Sequence, residues 1–267
     1  MDLVLLYISA YLLGSIPTAY LIGRIVKGVD IRSYGSGNVG SANLYEHVGK
    51  KWVYPVATVE VLVKGALPIL VAVHVLDIGE SSAYLIGPGL LAMAGNNWSI
   101  FLKFQGGRGI AVAGGTLLAL TPILAVGCAV ISIGGWKVAN NSGMWVLISL
   151  VLLPLGSYVL HTNMLGHSLN MVWYSLGLLG IVILKRLSAN WAPFPEEVSR
   201  KRVLFNRLIR DRDVSDRITW VRRIPEGSPL IKDKMVDNIG DLETVKDEPT
   251  YIYRPRGSAN CLLRLAS

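Results

Sequence analysis

Long uncharged stretches alternate with short polar, glycine-rich ones along the first two thirds of the chain. Leu3 to Gly23 carries no Asp, Glu, Lys or Arg, and neither do Ser82 to Leu102, Ile110 to Gly135 and Val138 to Leu184. A membrane crossing needs about 20 apolar residues, so the last stretch holds two helices and each of the others holds one or a tight pair. The pattern predicts helices near 3–23, 53–75, 82–100, 144–161 and 169–184. Between them, Thr121-Pro122 splits a hairpin into a short arm over 110–120 and a longer one over 122–136. The expected fold class is an all-α polytopic membrane protein of about seven transmembrane helices followed by a charged C-terminal tail.

Basic residues orient this arrangement. Arg24, Lys27, Arg32, Lys50 and Lys51 follow the first helix, Lys103 and Arg108 the third, and Lys185-Arg186 the last. The positive-inside rule then places these loops and the tail in the cytoplasm and the N-terminus outside. Reading 110–136 as one crossing would leave six helices and put the basic tail outside. The chain divides at this change of character into a membrane domain, 1–190, and a charged extension, 191–267. Within the extension, Val203 to Ile224 reads as a basic amphipathic helix lying on the membrane, and Lys232 to Arg256 as poorly ordered or a small appended element.

Composition agrees: 52% of residues are hydrophobic, 16% are charged and the mean hydropathy is positive. The formal charge is +8, of which residues 1–184 carry +3 and the remainder +5. With no nucleic-acid motif in view, that balance suits cytoplasmic loops facing anionic lipid. Cys128 sits in an apolar run and Cys261 in the tail, so no disulfide framework is expected. No His/Cys/carboxylate spacing suggests a metal site, and no cofactor is expected. Met1-Asp2 lacks the basic region of a secretory signal.

Two polar loops carry candidate chemistry. The first runs Gly35-Ser36-Gly37-Asn38-Val39-Gly40-Ser41-Ala42-Asn43. Its backbone N–H groups, the Ser36 hydroxyl and the amides of Asn38 and Asn43 suit a phosphate or carbonyl oxygen, although the run equally suits a plain linker. The second is Lys103-Phe104-Gln105-Gly106-Gly107-Arg108-Gly109, directly before a helix. Glycine lets amides approach an anion, the helix start adds partial positive charge, and Arg108 offers a bidentate phosphate contact. A tight turn with a basic anchor is the other reading of that loop. Two such loops on one membrane face favour an anion site. Glu60 and Lys64, one turn apart in the second helix, read as a structural ion pair. His47 reads as an interfacial residue or a proton carrier, and His161 and His167 as surface residues of an outer loop.

Several of these motifs together resemble a known family. Gly14-Ser15-Ile16-Pro17, the run from Gly35 to Gly40 with Asn43, Gly49-Lys50-Lys51, Lys64-Gly65-Ala66-Leu67-Pro68, and Phe101 to Lys103 with Gly106 to Ala111 look like the acyl-phosphate:glycerol-3-phosphate acyltransferase (PlsY) family. The resemblance covers about residues 1–190. It implies a seven-helix enzyme of the bacterial inner membrane that moves a fatty acyl group from acyl phosphate to the 1-hydroxyl of glycerol 3-phosphate, giving lysophosphatidic acid, with no metal, cofactor or coenzyme A. The expected catalytic residues are Ser36, Asn38 and Arg108. The expected substrate contacts are Gly37, Gly40, Asn43, Lys103, Gly106, Gly107 and Gly109. Acyl phosphate, glycerol 3-phosphate and membrane lipids are the expected partners, and the protein is expected to be a monomer.

The chain departs from that family pattern at several places. Glu46 stands where the family has arginine, Gly95-Asn96 where it has Gly-His, and Arg108 where it usually has lysine. Before Lys185-Arg186-Leu187 the residues Gly180 to Leu184 replace a polar signature, and Ala189-Asn190-Trp191-Ala192 replace a carboxylate. An impaired lipid-phosphate-binding paralogue and an acyltransferase with another acceptor are therefore the alternatives, with a small-solute transporter behind them.

Overall fold

The computed structural model describes residues 1–162, 169–192, 194–195, 198–225, 251–253 and 262–264. The readings made for His167, Cys261 and most of the segment after 225 lie outside these residues.

The first crossing is broken rather than continuous. Helix α1 (Asp2–Ser15) and helix α2 (Thr18–Lys27) meet at Ile16-Pro17. Pro17 lacks an N–H and pushes Ile16 out of helical geometry, to φ −58° and ψ 116°. After α2, Asp30 caps a short 3₁₀ turn, and α3 (Ser41–His47) follows the glycine run. The second crossing comprises α4 (Val53–Thr58), a π-helical stretch (Val59–Ala66) and α5 (Leu67–His74). Then come α6 (Ile86–Asn97), α7 (Ile110–Leu120), α8 (Pro122–Ala139), α9 (Ser142–Thr162) and α10 (Asn170–Ser188). The expected hairpin break falls where Pro122 opens α8.

Among the described residues, five segments are long and apolar enough to cross a membrane: Asp2–Lys27, Lys50–His74, Pro122–Ala139, Ser142–His161 and Asn170–Trp191. Helices α6 and α7, with 12 and 11 residues, are too short to do so alone, since each spans only about 16–18 Å against a hydrocarbon core of about 30 Å. They instead form the centre of the bundle, where Ala92, Met93 and Val112 are fully buried beside Leu178. The outer surface is apolar, with Val126, Val130 and Ile133 of α8 and Leu155 of α9 all exposed. That inversion of the water-soluble pattern is what lipid requires.

Lipid tails are as apolar as the side chains they touch, so helices associate through close packing of small residues rather than through hydrophobic burial. Gly14 of α1 lies against the Ala92 carbonyl of α6, and Gly95 of α6 lies against the Tyr11 carbonyl. Gly115 of α7 lies against the Val61 carbonyl in the π-helical stretch, with Gly65 returning the contact at the Val112 carbonyl. These contacts bring Glu60 and Lys64, both buried, toward α6 and the α1–α2 break. Such π-helical insertions recur at functional sites because they re-aim side chains.

The extension differs from the single amphipathic helix expected over 203–224. Helix α11 (Arg200–Arg210) stops at Asp211, which has φ +59°, and α12 (Arg217–Val221) follows. Strand β1 (Arg223–Pro225) then pairs in parallel with β2 (Tyr251–Tyr253), which pairs antiparallel with β3 (Leu262–Arg264). The break arises because α11 packs its buried face on protein. Val203, Asn206 and Arg207 are buried. Arg207 holds Asp213 at 2.7 and 3.0 Å and donates to the Leu187 and Ala192 carbonyls. Arg186 donates to the carbonyls of Leu208 and Gly143 at 2.7 and 2.8 Å. The segment is thereby tied to the ends of α9 and α10.

Asp30 gives one measurable consequence. Burial raises its pKa, but hydrogen bonds from the Arg32 side chain and backbone, with the charges of Arg32 and Arg24, outweigh that and hold it below the usual carboxylate range. Its contribution to stability is thus present above that range and is lost as pH falls through the depressed folded-state value. Asp30→Asn is expected to unfold at lower temperature than the wild type at neutral pH and to converge with it in acid. Thermal unfolding in detergent across that range checks this, and parallel curves would contradict it.

Candidate active site

Three segments remote in sequence meet where α2 ends, α7 begins and α10 ends. The first is the glycine run. Ser36 Oγ accepts from the Asn38 backbone N–H at 3.3 Å. Asn43, expected as a substrate contact, is buried and holds the loop together: its Nδ2 donates to the carbonyls of Ile31, Tyr34 and Asn38 at 2.8, 3.0 and 3.1 Å. Gly35 has φ +47°, and a Cβ there would stand 2.5 Å from Asn43 Oδ1 and 2.6 Å from His47 Nε2. Only glycine suits that position.

The second segment is the loop before α7. Gly106 N–H donates to Asn190 Oδ1 at 3.1 Å, and Gly107 N–H to the Asn96 carbonyl at 3.0 Å. Gly109, at φ +70°, opens α7. The expectation that the amides of both loops cradle a phosphate needs correction. Gly35 N–H goes to the Arg223 carbonyl, Gly37 N–H to Tyr34, and Val39 N–H to Gly106. With these amides committed to the protein, the two loops form a hydrogen-bonded frame. Gly40 precedes α3 in extended conformation. Lys103 is exposed at φ +55° and has no ion pair among the described residues, so it does not join the cluster.

The third segment is the end of α10, which was read from sequence as eroded. Lys185 and Arg186 lie in its last turn and are buried. Lys185 Nζ donates to the Asn97 carbonyl and to Asn190 Oδ1, and sits over the Trp98 ring. Asn190 is the junction. Its Nδ2 donates to the Gly37 carbonyl at 3.2 Å, the Gly106 carbonyl at 3.0 Å and Asn38 Oδ1 at 3.3 Å. Arg108 Nη1 donates to the Lys185 carbonyl at 3.0 Å. If the Asn38 amide is turned over, its oxygen accepts from Arg108 Nε and Nη2, both at 3.2 Å. Asn38, Arg108 and Asn190 therefore share one polar patch.

Beside this patch lies a small cleft lined by Pro17, Thr18, Val39, Lys64, Asn96 and Gly106. Lys64 Nζ donates to Thr18 Oγ1 at 3.2 Å and Asn96 Oδ1 at 3.1 Å, with Glu60 Oε1 4.0 Å away. The Glu60–Lys64 pair is real, but Lys64 also presents its ammonium to the cleft. Asn96, where the sequence pattern led one to expect histidine, is what receives it. The combination of buried cations, amide side chains and a small polar cleft at the end of an apolar bundle suits a phosphorylated head group carrying an acyl chain.

The family model described as glycerol-3-phosphate acyltransferase matches residues 4–192. The chain belongs to the glycerol-3-phosphate acyltransferase family. It is 37% identical over 220 residues to glycerol-3-phosphate acyltransferase 4 of Dehalococcoides mccartyi strain CBDB1, covering 80% of this chain and 91% of the relative. It is 35% identical to glycerol-3-phosphate acyltransferase 5 of another strain of that organism, covering 82% and 93%. Among solved structures it resembles PlsY, an integral membrane glycerol 3-phosphate acyltransferase, in its glycerol 3-phosphate form, with TM-score 0.63, 30% identity and coverage of 70% of this chain and 88% of that one. The protein is thus a multi-pass bacterial membrane acyltransferase.

Several residues of this polar cluster were not placed in it from the sequence. Lys64 was visible as an intramembrane charge, and its buried position was the signal. Lys185 was read as a positive-inside anchor, and Asn190 only as a replacement for a carboxylate. Glu46, expected to repel an anion, pairs with Arg222 of the extension at 3.4 Å, and His47 Nε2 lies 2.9 Å from the Val221 carbonyl. The Glu46–Arg222 pair is partly exposed, so its energetic weight is small. Glu46→Gln is expected to change turnover by less than about threefold, measured as initial rate. A large rise would restore repulsion as the dominant effect.

Proposed function

We propose that the protein transfers a fatty acyl group from acyl phosphate to the 1-hydroxyl of glycerol 3-phosphate, forming lysophosphatidic acid. The observation that carries this reading is the convergence of Asn38, Arg108, Lys185 and Asn190 beside the Lys64 cleft. The names of the relatives support the acceptor, and a second PlsY structure, described as the lysophosphatidic acid form, supports the product class.

Acyl phosphate is a mixed anhydride and already activated. The acceptor oxygen bonds to the acyl carbonyl carbon, the bond from that carbon to the phosphate oxygen breaks, and phosphate leaves with the electron pair. The acceptor proton passes to a phosphate oxygen. Placing two anionic substrates together and stabilising the oxyanion is then most of the work. Arg108, Lys185 and Lys64 offset the phosphate charges. Asn38 and Ser36 face the acyl carbonyl or a phosphate oxygen, with the Ser36 hydroxyl proton as a donor. Asn43, Gly37, Gly40, Gly106, Gly107 and Gly109 shape the frame, and Lys103 adds attraction at the membrane surface.

The extension's pairing with Glu46 and the hydrogen-bonded junction of Lys185 with Asn190 favour an active enzyme over an impaired paralogue. We place the boundary between membrane domain and extension near residue 190. We take the site end as cytoplasmic, the N-terminus as external and the protein as a monomer, with about seven helices in the bundle when the short α6 and α7 at its centre are counted. The test is the purified protein with labelled glycerol 3-phosphate and either acyl phosphate or an acyl thioester. Labelled lysophosphatidic acid with acyl phosphate alone is expected; product only from the thioester would overturn the donor assignment.

A further inference from the structure

The extension beyond residue 192 reaches the Arg108 guanidinium through the Asp211 carboxylate. Asp211 Oδ1 lies 2.8 Å from Arg108 Nε and 3.9 Å from Arg186 Nε. Arg108 is mostly buried, with 14% of its side chain exposed. Its Nη1 is committed to the Lys185 carbonyl and its Nε faces Asp211. With the Asn38 amide turned over, Nε and Nη2 both lie 3.2 Å from its oxygen. The guanidinium is thus bounded by the Lys185 carbonyl, the Asn38 amide and the Asp211 carboxylate, the last an ion-pair contact rather than a hydrogen bond.

Asp211 is itself fixed. It closes α11 in the left-handed region. Gly143 at the start of α9 lies beneath it, so close that a Cβ there would stand 2.8 Å from the Arg210 carbonyl and 3.2 Å from Asp211 Cβ. Arg186 and Arg207 bind α11 to the ends of α9 and α10, as described above. A carboxylate placed this way has a defined position, so the guanidinium it touches has one too. Pre-organised cations need no reordering at the moment of reaction.

We propose that Asp211 of the C-terminal extension is a positioning residue for the acyl transfer, fixing the Arg108 guanidinium toward the phosphate of a substrate. This rests on the acyltransferase reading above. It makes the extension part of the working enzyme rather than an appendage. The charge balance permits the role, because Arg108 and Arg186 meet a single carboxylate here among the described residues, which leaves the cluster a net positive charge for an anion.

The test is a double-mutant cycle on the full-length protein with acyl phosphate and glycerol 3-phosphate. Asp211→Asn is expected to lower kcat/KM roughly 10- to 100-fold, the scale of a misplaced catalytic contact. In the Arg108→Gln background the same change is expected to cost less than about twofold, since there is no guanidinium left to place. Equal losses in both backgrounds would show a merely structural role and overturn the proposal. A lower KM for either substrate in Asp211→Asn would make Asp211 a competitor of the phosphate and also overturn it. Should Asp211→Asn fail to fold, Gly143→Ala displaces the same carboxylate and enters the same cycle with the same expected dependence on Arg108. Failure of the wild type to form product would instead refute the acyltransferase reading, which separates the two outcomes.

Discussion

Replacing Asn190 with alanine is expected to lower kcat/KM by about 100-fold or more while leaving the bundle folded. The Asn190 amide ties the Gly37 and Gly106 carbonyls, Asn38 Oδ1, the Gly106 N–H and the Lys185 ammonium into one junction. Alanine leaves those groups unpaired and frees both loops and the lysine at once. Each lost hydrogen bond is worth about 1 kcal/mol in stability, but the loops are also anchored by Asn43 and by backbone pairing, so the fold survives. The kinetic loss is larger because it comes from misplacement, where about 1 Å is worth about two orders of magnitude. Asn190→Asp, which keeps the acceptor and removes the donor, is expected to be nearly as impaired. Initial rates with both substrates, beside unfolding temperature in detergent, check this. An alanine variant with near-normal kcat/KM would show that the junction is not where the chemistry happens.

The second large effect is on stability. Gly115→Ala is expected to destabilise the bundle by about 3 kcal/mol or more, because the new methyl would stand 1.9 Å from the Val61 carbonyl oxygen and 2.7 Å from its carbon. Both atoms belong to backbone, so no rotamer change relieves the clash and α7 has to move away from the π-helical stretch. That stretch carries Glu60 and Lys64, so activity should fall along with stability. Gly127→Ala in α8 is the control, since nothing lies within 4 Å of its Cβ position. Unfolding temperature in detergent is the measurement. Equal stability of the Gly115 and Gly127 variants would contradict the close-packing account of how these helices associate.

How much of this was legible in the sequence depends on the physics behind each feature. Uncharged length identifies a crossing directly, and the Pro122 break was readable because proline acts locally. The Pro17 break carried the same local signal, but an unbroken apolar run masked it. Helices α6 and α7 were overestimated or ambiguous for a related reason: hydropathy does not distinguish a short helix buried among others from one that faces lipid. The glycine loops marked the site, yet their composition suggested amides open to an anion. The structure places several of those amides in hydrogen bonds within the protein, beside the side chains of Arg108 and Lys185. That distinction needs the third dimension, because the partner of Gly106 is Asn190 and the partner of Gly35 is Arg223. Asn190 stood only in a stretch that replaces a carboxylate of the family pattern, and Asp211 and Arg222 carried no motif at all. The contacts of the last two come from the extension folding back on the bundle, which a basic amphipathic pattern over 203–224 does not encode.

The central claim is that the cluster brings acyl phosphate and glycerol 3-phosphate together for direct transfer. The most direct measurement is the stoichiometry of one reaction mixture: inorganic phosphate released against lysophosphatidic acid formed by the purified full-length protein. Equal amounts, with release abolished when glycerol 3-phosphate is omitted, are predicted. Phosphate release that continues without the acceptor, or no product with both substrates present, would contradict it.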